Sequence, residues 1–400
     1  MITKFRIKNF KSLVDFDLPP SEHEMGSFTC LIGLNGAGKS TLLQAFDFIA
    51  HIAAGGVDDW LERREWKKGQ LVSHLGKRTP VISFVVGMRT VNGARVEWEA
   101  RFNSSQLKCT YESITSNGEV LLKLDEGRLT VANSDRVIDS RFDKAQVPFQ
   151  FLGSVISVLK LQDAHPDIGE IKSALQGLKS FELLNPQAMR RRAKSAEDIG
   201  TGGEKLSAFL GTFSIQQRQA LITQLQSFYP KLRDLSVNTM RFGWKNLRVT
   251  EDYTGLLRID ATHLNDGLLR VIAILAQAQS NHQFLLFDEI ENGINPVLVG
   301  KLMDFLVHLG NQNKQVIVTT HSPVILNYLT DDVARNGVIL LYKTEDGKTR
   351  SCRYFDQPET GYKLEALGPG EVFVDTDLAK LVSRLAGDVM TNDREPSGVR

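Results

Sequence analysis

Hydrophobic and polar positions alternate along residues 2–18, which predicts two short strands near the start of the chain. A wholly apolar run at 28–32 predicts a buried strand that leads into a glycine-rich loop. From about 40 to 54 the apolar positions follow a helical period, and the two glycines at 55–56 end that helix. This part of the chain therefore predicts strands, a loop and one helix, in that order.

The pattern from 80 to 131 is again that of strands, with Asn-Gly pairs at 92–93 and 117–118 that favour hairpin turns. From about 148 to 230 the period becomes helical, but no heptad repeat is sustained. A long coiled coil is therefore not predicted. Residues 57–79 differ from both regions and predict an exposed basic insertion.

Helices and buried strands alternate in the later part of the chain. A helix at 267–279 precedes a fully apolar strand at 284–287, which is typical of a buried parallel sheet. Pro296 begins another helix at the position where proline is tolerated, and 316–320 predicts a further buried strand. Residues 331–356 predict a closing hairpin.

These patterns predict an α/β protein with interleaved parts. We expect a first lobe over 1–147 with the glycine loop, the basic insertion and an antiparallel β-subdomain. An inserted helical subdomain over 148–236 and a second lobe over 237–356 follow. A C-terminal extension occupies 357–400, with its last residues expected to be disordered.

Composition limits the class of protein. The 400 residues are 42% hydrophobic and 24% charged, which is ordinary for a soluble globular chain. Because the net charge is only +1, nucleic-acid binding would require a local basic patch. The three cysteines lack paired or metal-ligand spacing, and no segment resembles a signal peptide or a membrane span. A cytoplasmic location without membrane contact is expected.

Residues 33–40 match the P-loop pattern and lie between a predicted strand and a predicted helix, as that motif requires. Backbone N–H groups of such a loop surround the β-phosphate, and the helix N-terminus adds a favourable dipole. Lys39 is expected to reach the β- and γ-phosphates, and Ser40 to ligate Mg²⁺. The residues expected to contact ATP here are Gly33, Asn35, Gly36, Ala37, Gly38, Lys39, Ser40 and Thr41.

Two further segments supply groups suited to phosphate chemistry. The apolar strand at 284–287 ends in Asp288, a candidate Mg²⁺ ligand, and Glu289, a candidate to polarise an attacking water. Such a pair alone also begins ordinary helices, but following a P-loop it favours ATP hydrolysis. His321 follows the next buried strand, where it could hydrogen-bond the γ-phosphate or simply cap a loop.

Residues 264–270, Leu-Asn-Asp-Gly-Leu-Leu-Arg, open the helix that precedes the carboxylate strand. Asn265, Asp266 and Gly267 at its N-terminus could form a second anion site. In isolation the same residues would be an ordinary helix cap.

The order of these four segments resembles the ATP-binding-cassette head, and especially the RecF, SMC and OLD-like (overcoming lysogenization defect) group of AAA ATPases. Residues 264–270 resemble that group's Leu-Ser-Asp-Gly-x-x-Arg, and 289–296 resemble its Glu-x-Glu-Asn-Gly-Leu-His-Pro. The Asn-Phe-Lys-Ser of 9–12 is similar to its first hairpin. The resemblance implies a P-loop parallel-sheet core, an antiparallel β-subdomain and an inserted helical subdomain.

The resemblance also implies that two heads hold two ATP molecules with Mg²⁺, each site completed by the partner's signature loop. A homodimer or a larger homo-oligomer is therefore expected. Asn265 stands where that group usually has serine, and Asn295 where histidine is common. Because an asparagine amide still donates a hydrogen bond, we expect slow hydrolysis. Gln150 and Gln162 are both candidates for the glutamine of the Q-loop.

Two dense basic clusters stand out, the 60–78 insertion and a second cluster formed by Arg190, Arg191, Arg192 and Lys194. Both are explained by solvated charged surfaces or, alternatively, by contact with nucleic acid or an acidic protein. Trp60 and Trp66 among the basic residues would suit stacking or an interface anchor.

A built-in nuclease of OLD type is not expected, because Asp375-Thr376-Asp377 follows an apolar run of only three residues, at 372–374. Compact members of the group resemble ATPases of bacterial anti-phage systems that act with a separate nuclease or toxin. The first hypothesis is therefore an ATP-dependent sensor or clamp that controls a separate effector. A RecF-like clamp acting on DNA and the ATP-hydrolysing subunit of a transporter are alternatives, and the signature argues against the latter.

Overall fold

The computed structural model describes residues 1–20, 23–76, 78–132, 150–159, 165–181, 185–310, 312 and 314–392. In chain order its strands are β1 Ile2–Phe10, β2 Leu13–Leu18, β3 Phe28–Ile32, β4 Val81–Arg89, β5 Arg95–Asn103, β6 Lys108–Ser116, β7 Glu119–Asp125, β8 Arg128–Val131, β9 Lys179–Phe181, β10 Leu232–Thr239, β11 Lys245–Asp252, β12 Leu256–Asp260, β13 Phe284–Phe287, β14 Gln315–Thr319, β15 Val338–Lys343 and β16 Thr349–Arg353. The α-helices are α1 Lys39–Ala54, α2 Val57–Arg63, α3 Pro166–Gln176, α4 Pro186–Met189, α5 Leu206–Leu210, α6 Ile215–Phe228, α7 Asp266–Ala278, α8 Pro296–Gly310, α9 Pro323–Leu326, α10 Asp331–Gly337, α11 Pro358–Gly361, α12 Pro369–Asp375 and α13 Leu378–Asn392.

The chain forms two compact units. Unit 1 combines Met1–Lys179 with Thr330–Arg400, and unit 2 is the continuous segment Ser180–Leu329. Unit 1 is thus built from two stretches of chain that are far apart in sequence. The four-part division predicted from the sequence stays a prediction.

Unit 1 contains a seven-stranded sheet in the order β2-β1-β4-β5-β6-β7-β8, with every neighbouring pair antiparallel. The predicted hairpins between β4 and β5 and between β6 and β7 are confirmed. Asn117 and Gly118 both have positive φ angles, 48° and 90°, as a tight turn of this kind requires. Alternate side chains are buried, among them Trp98, so one face of the sheet carries the apolar residues.

The strand before the glycine loop, β3, pairs in parallel with β15, which in turn pairs with β16. The closing hairpin predicted from the sequence is therefore confirmed, and it lies directly beside β3. Helix α1 packs against β1, where the rings of Phe5 and Phe46 lie 4.1 Å apart and those of Phe10 and Phe48 lie 5.2 Å apart. Aromatic contacts of this kind fix the helix that follows the loop.

The prediction that residues 57–79 form an exposed insertion is partly wrong. Trp60 lies on α2 with only 2% of its surface exposed, and its Nε1 donates to Asp47 Oδ2 at 2.6 Å. Arg64 donates to the same carboxylate oxygen at 2.7 Å, and Lys11 lies 3.2 Å from the ring centre of Trp66. Trp60 is thus a core residue that satisfies a buried aspartate, and it is not available for stacking on a partner. Lys77 lies outside the described residues.

In unit 2 the parallel strands β13 and β14 lie side by side, with β9 next to β13. A separate antiparallel sheet has the order β10-β11-β12. The helix predicted before the carboxylate strand is α7, and the one predicted to begin at Pro296 is α8. Over the described ranges no helix exceeds the 16 residues of α1, which agrees with the expectation of no long coiled coil.

Residues 372–374, near the C-terminus, are helical within α12 and do not form the short strand considered for them. Asp375 instead pairs with Lys363, whose Nζ lies 2.9 Å from Asp375 Oδ2. None of the helices in the described part of the chain combines the length and apolar character that a membrane span requires.

Glu112 of β6 is fully buried and holds residues 154–155 against the sheet. One of its carboxylate oxygens accepts from Trp98 Nε1 at 3.2 Å and from Ser154 Oγ, and the other accepts from Val155 N at 2.7 Å. Burial raises the pKa of Glu112 to about 7, although all three hydrogen bonds favour the charged form. Desolvation is therefore the larger effect.

Replacing Glu112 with glutamine is expected to flatten the pH dependence of stability. Because the pKa rises from 4.5 to about 7 on folding, the folded protein holds an extra proton between these values, and stability falls as pH rises through this window. Urea unfolding of the wild type at several pH values from about 5 to 8 should show that loss, and Glu112→Gln should show less of it. Glu97→Gln on the exposed side of β5 is the matched control, and identical slopes for all three proteins would contradict the assignment.

Candidate functional site

The glycine loop joins β3 to α1, and its backbone leaves no room for side chains at two positions. Gly33, Gly36 and Gly38 all have positive φ angles, of 149°, 78° and 111°. A Cβ on Gly33 would lie 2.3 Å from the carbonyl oxygen of Leu341, and one on Gly38 would lie 2.5 Å from Thr349 Oγ1. Both conformation and space therefore require glycine here.

Lys39 begins α1 directly after the loop. It is 5% exposed, and its Nζ donates to the carbonyl oxygen of Gly33 at 2.8 Å. Gly38 precedes the helix without a side-chain cap, so the N–H groups of the first turn face away from the helix body. Asn35 and Ser40 are exposed beside these groups. The arrangement is a basic, donor-rich cradle of the kind that binds phosphate.

A buried threonine supports this loop, and sequence analysis missed it. Thr349, the first residue of β16, is fully buried, and its Oγ1 donates to the carbonyl oxygen of Ala37 at 3.0 Å. Lys343 Nζ donates to that same hydroxyl at 2.9 Å, and Ser12 Oγ lies 2.9 Å from it. Burial lowers the pKa of Lys343. The only sequence signal was the resemblance at 9–12, which contains Ser12, since Ser12 and Ala37 lie more than 300 residues from Thr349.

In unit 2, Asp288 and Glu289 follow β13, and a threonine at the end of the parallel strand β14 orients both. Thr319 Oγ1 donates to Asp288 Oδ1 at 2.5 Å and accepts from the backbone N–H of Glu289 at 2.8 Å. Glu289 has a φ of 45°, which is uncommon for a residue with a side chain. Thr319 thus holds the Asp288 carboxylate itself but only the backbone of Glu289, whose carboxylate is held by other contacts.

Glu289 lies close to His321, with 3.5 Å between its Oε1 and His321 Nε2, and both side chains are about one-third exposed. Its other oxygen accepts from Asn292 Nδ2. Glu291 Oε1 accepts from the backbone N–H of His321 at 2.8 Å and from Thr320 Oγ1 at 2.9 Å. The candidate base and the candidate γ-phosphate contact are therefore brought together within unit 2.

The signature segment begins α7. Asn265 Oδ1 accepts from Leu268 N at 2.8 Å, so the residue is a helix cap that keeps its amide nitrogen as a donor. A Cβ on Gly267 would lie 2.9 Å from the carbonyl oxygen of Gly293, in the loop after the carboxylates. Asp266 pairs with Arg190, whose Nη2 lies 2.5 Å from Asp266 Oδ1 and 2.7 Å from the carbonyl oxygen of Leu264.

The candidate residues thus fall into two groups in different units. Unit 1 holds Gly33, Asn35, Gly36, Ala37, Gly38, Lys39, Ser40 and Thr41, and unit 2 holds Asn265, Asp266, Gly267, Asp288, Glu289 and His321. Arg191, Arg192 and Lys194 are exposed, whereas Arg190 is partly buried by its contacts. Gln150 is exposed, and Gln162 lies outside the described residues.

Comparison with known proteins agrees with these features. A family described as "AAA domain, putative AbiEii toxin, Type IV TA system" matches residues 28–327. An OLD nuclease of Thermus scotoductus is 43% identical over 376 residues, which cover 87% of this chain and 65% of that protein. The chain therefore spans slightly less than two thirds of the length of this relative.

A crystal structure of an SMC head bound to the C-winged helix domain of ScpA aligns with a TM-score of 0.55 and 15% identity, covering 89% of this chain and 99% of the other. This likeness shows the fold, and it confirms the predicted head architecture. The family match covers both groups of candidate residues. The chain belongs to the AAA family of the AbiEii type, is related to an OLD nuclease, and has the fold of an SMC-like ABC ATPase head.

Proposed function

We propose that this protein binds ATP with Mg²⁺, hydrolyses it slowly, and pairs with a second copy of itself through the bound ATP. The observation that carries the proposal is the glycine loop, whose backbone is so tightly packed against Leu341 and Thr349 that only glycine fits. The N–H groups at the start of α1, which no side chain caps, and the buried Lys39 suit a triphosphate.

The oxygen donors of Ser40 and Asp288 fit Mg²⁺, a hard cation that prefers hydroxyl, carboxylate and phosphate oxygens. When bound, the ion would neutralise phosphate charge. Thr319 holds the Asp288 carboxylate in one orientation through its hydroxyl. Lys39 would bind the β- and γ-phosphates, and the loop N–H groups would surround the β-phosphate.

Glu289 is proposed to accept a proton from the attacking water, and His321 to hydrogen-bond the γ-phosphate. The position of Glu289 supports this role, because Asn292 holds one of its oxygens and His321 faces the other. A base with a fixed carboxylate and a partly exposed oxygen can orient water without a large rearrangement.

The signature residues Asn265, Asp266 and Gly267 are proposed to complete the ATP site of another copy. In that case each dimer contains two composite sites, as the resemblance to ABC heads implies. Because the Asn265 oxygen caps α7, only its amide would face the γ-phosphate, and this favours slow hydrolysis. Bound ATP would then act mainly as a ligand that holds the dimer, and hydrolysis would reset it.

We further propose that the dimer senses a trigger and controls a separate effector, a nuclease or a toxin, in bacterial anti-phage defence. The AbiEii-type family and the related OLD nuclease support this role. A RecF-like clamp that acts directly on DNA is the second candidate, because Arg191, Arg192 and Lys194 are exposed on unit 2. Purification of the native complex distinguishes the two, since a copurifying nuclease or toxin favours the first.

Changing Glu289 to glutamine is expected to slow phosphate release by about 10²-fold or more, because it removes the proposed base while keeping the size of the side chain. The ATP-bound dimer should accumulate, and light scattering with and without ATP measures it. Glu197→Gln on the exposed surface of unit 2 is the matched control. Unchanged phosphate release by Glu289→Gln would rule out this base.

Mixing Lys39→Ala with Gly267→Asp tests the composite site. Each variant alone should be inactive, whereas the mixed dimer has one intact site, so an equal mixture should regain about one quarter of wild-type turnover. Because a Cβ on Gly267 crowds Gly293, Asn265→Ala serves as a second signature variant, and thermal unfolding checks that both fold. A mixture of folded variants that stays inactive would contradict pairing through the signature.

Removing the hydroxyl of Thr349 should weaken nucleotide binding, because the valine variant leaves Ala37 O and Lys343 Nζ without this partner beneath the loop. We expect Thr349→Val to lower the affinity for a fluorescent ATP analogue on the order of tenfold, and Thr349→Ser, which keeps the hydroxyl, to lower it much less. Equal affinities for the valine and serine variants would show that the hydroxyl has no such role.

A further inference from the structure

The basic segment 191–194 lies beside the turn that joins β10 to β11. Ala193 and Lys245 form an isolated antiparallel bridge, in which Lys245 N donates to the carbonyl oxygen of Ala193 at 2.9 Å. Lys194 Nζ lies 5.1 Å from the ring centre of Trp244. We call five residues of these two bridged segments the arginine–aromatic surface: Arg191, Arg192, Lys194, Phe242 and Trp244. All five belong to unit 2.

Phe242, at the tip of this turn, combines two unfavourable features. The residue is 87% exposed, and its backbone is left-handed, with φ 61° and ψ 21°. The turn itself is well formed, since Met240 N donates to the carbonyl oxygen of Trp244 at 2.7 Å. A bulky side chain at positive φ is rare, and such outliers concentrate at binding sites. Trp244 is also 40% exposed, so two aromatic rings face solvent at one turn.

The two sequence segments that carry this surface are basic. Residues 186–196 and 239–250 contain no aspartate or glutamate but seven basic residues: Arg190, Arg191, Arg192, Lys194, Arg241, Lys245 and Arg248. Two of the seven are used internally, since Arg190 pairs with Asp266 and Arg248 with Asp260. The other five form no ion pair with a carboxylate among the described residues. A ligand for this surface is therefore expected to be polyanionic.

We propose that the arginine–aromatic surface binds single-stranded nucleic acid. Arginine and lysine would contact the phosphates, and Phe242 and Trp244 would stack on unpaired bases. A duplex fits less well, because its bases are not available for stacking on a protruding ring. This surface takes over the stacking role considered for Trp60, which is buried, and it pairs the predicted arginine cluster with aromatic residues that the sequence pattern did not single out.

Arg190 does not belong to the surface but connects it to α7. Its guanidinium contacts Asp266 and the carbonyl oxygen of Leu264, at the start of the signature segment. A substitution of Arg190 would therefore disturb the signature as well as the charge. Arg191 and Arg192, whose side chains are exposed, provide the cleaner test.

The experiment measures binding of fluorescein-labelled single-stranded DNA and RNA, each of 20 nucleotides, by anisotropy at several salt concentrations without ATP. We expect the double variant Arg191→Glu/Arg192→Glu to lose at least tenfold in affinity. The slope of the logarithm of the binding constant against the logarithm of salt concentration should become shallower by about 0.7 for each phosphate contact removed. Comparing DNA with RNA identifies which strand is preferred, and a duplex of the same sequence is expected to bind more weakly.

Two matched sets of variants separate this surface from general charge effects. Lys67→Glu/Lys68→Glu makes the same change of charge in the other predicted basic cluster, where both residues are exposed, and should leave the affinity within about twofold. Phe242→Leu should weaken binding about tenfold, whereas Phe242→Tyr, which keeps the ring, should bind like the wild type. Circular dichroism confirms that each variant is folded.

The proposal is overturned if the wild type binds neither strand, if both charge variants lose equal affinity, or if leucine and tyrosine at 242 behave alike. Absence of binding together with capture of an acidic protein that requires Phe242 would instead identify a protein interface. Binding of the fluorescent ATP analogue is measured separately on the same variants. A variant that loses nucleic-acid binding but still binds ATP is therefore distinguished from one in which the proposed ATPase function fails.

Discussion

The tight approach of backbone to backbone at the glycine loop is the constraint on which the rest of unit 1 depends. Gly33 lies against the carbonyl oxygen of Leu341 in β15, and Gly38 lies against the side chain of Thr349 in β16. A methyl group at either position would push β3 away from its parallel neighbour or break the contact with the Thr349 hydroxyl. β15 and β16 thus determine the conformation of the glycine loop, although they lie about 300 residues later in the sequence. The loop in turn positions Lys39 and the first turn of α1.

In unit 2, as in unit 1, the hydroxyl of a buried threonine holds a candidate site segment in place. Thr319, at the end of β14, contacts the Asp288 carboxylate and the backbone of Glu289, so the parallel pairing of two short strands fixes one carboxylate and the backbone of the next residue. Glu291 then holds the His321 backbone. The result is a hydrogen-bonded network that holds the Asp288 carboxylate, the Glu289 carboxylate and the His321 backbone in place.

The two basic clusters look alike in sequence but differ in whether the aromatic residues beside them are buried or exposed. Trp60 and Trp66 are interleaved with lysine and arginine in the sequence. Trp60 is nevertheless buried in the core beside α1, where its Nε1 donates a hydrogen bond to the carboxylate of Asp47. The aromatic residues that do face solvent are Phe242 and Trp244, in a turn with no obvious pattern, and a strand bridge brings the arginine cluster beside them. Composition alone cannot tell these cases apart, because the identity of a side chain does not reveal which of its faces is covered.

Local sequence patterns were enough to predict the strand, glycine loop and helix around Lys39, the apolar strand ending in Asp288, the signature start of α7 and the hairpins at their Asn-Gly turns. These depend on periodicity and on glycine or proline at fixed positions, which act over a few residues. Long-range packing explains why β1 joins β4 in the seven-stranded sheet, why Thr349 supports Ala37, why Thr319 orients Asp288, and why Trp60 is buried. Such contacts join residues that are distant along the chain, and no local pattern encodes which distant hydroxyl or strand will meet a given group.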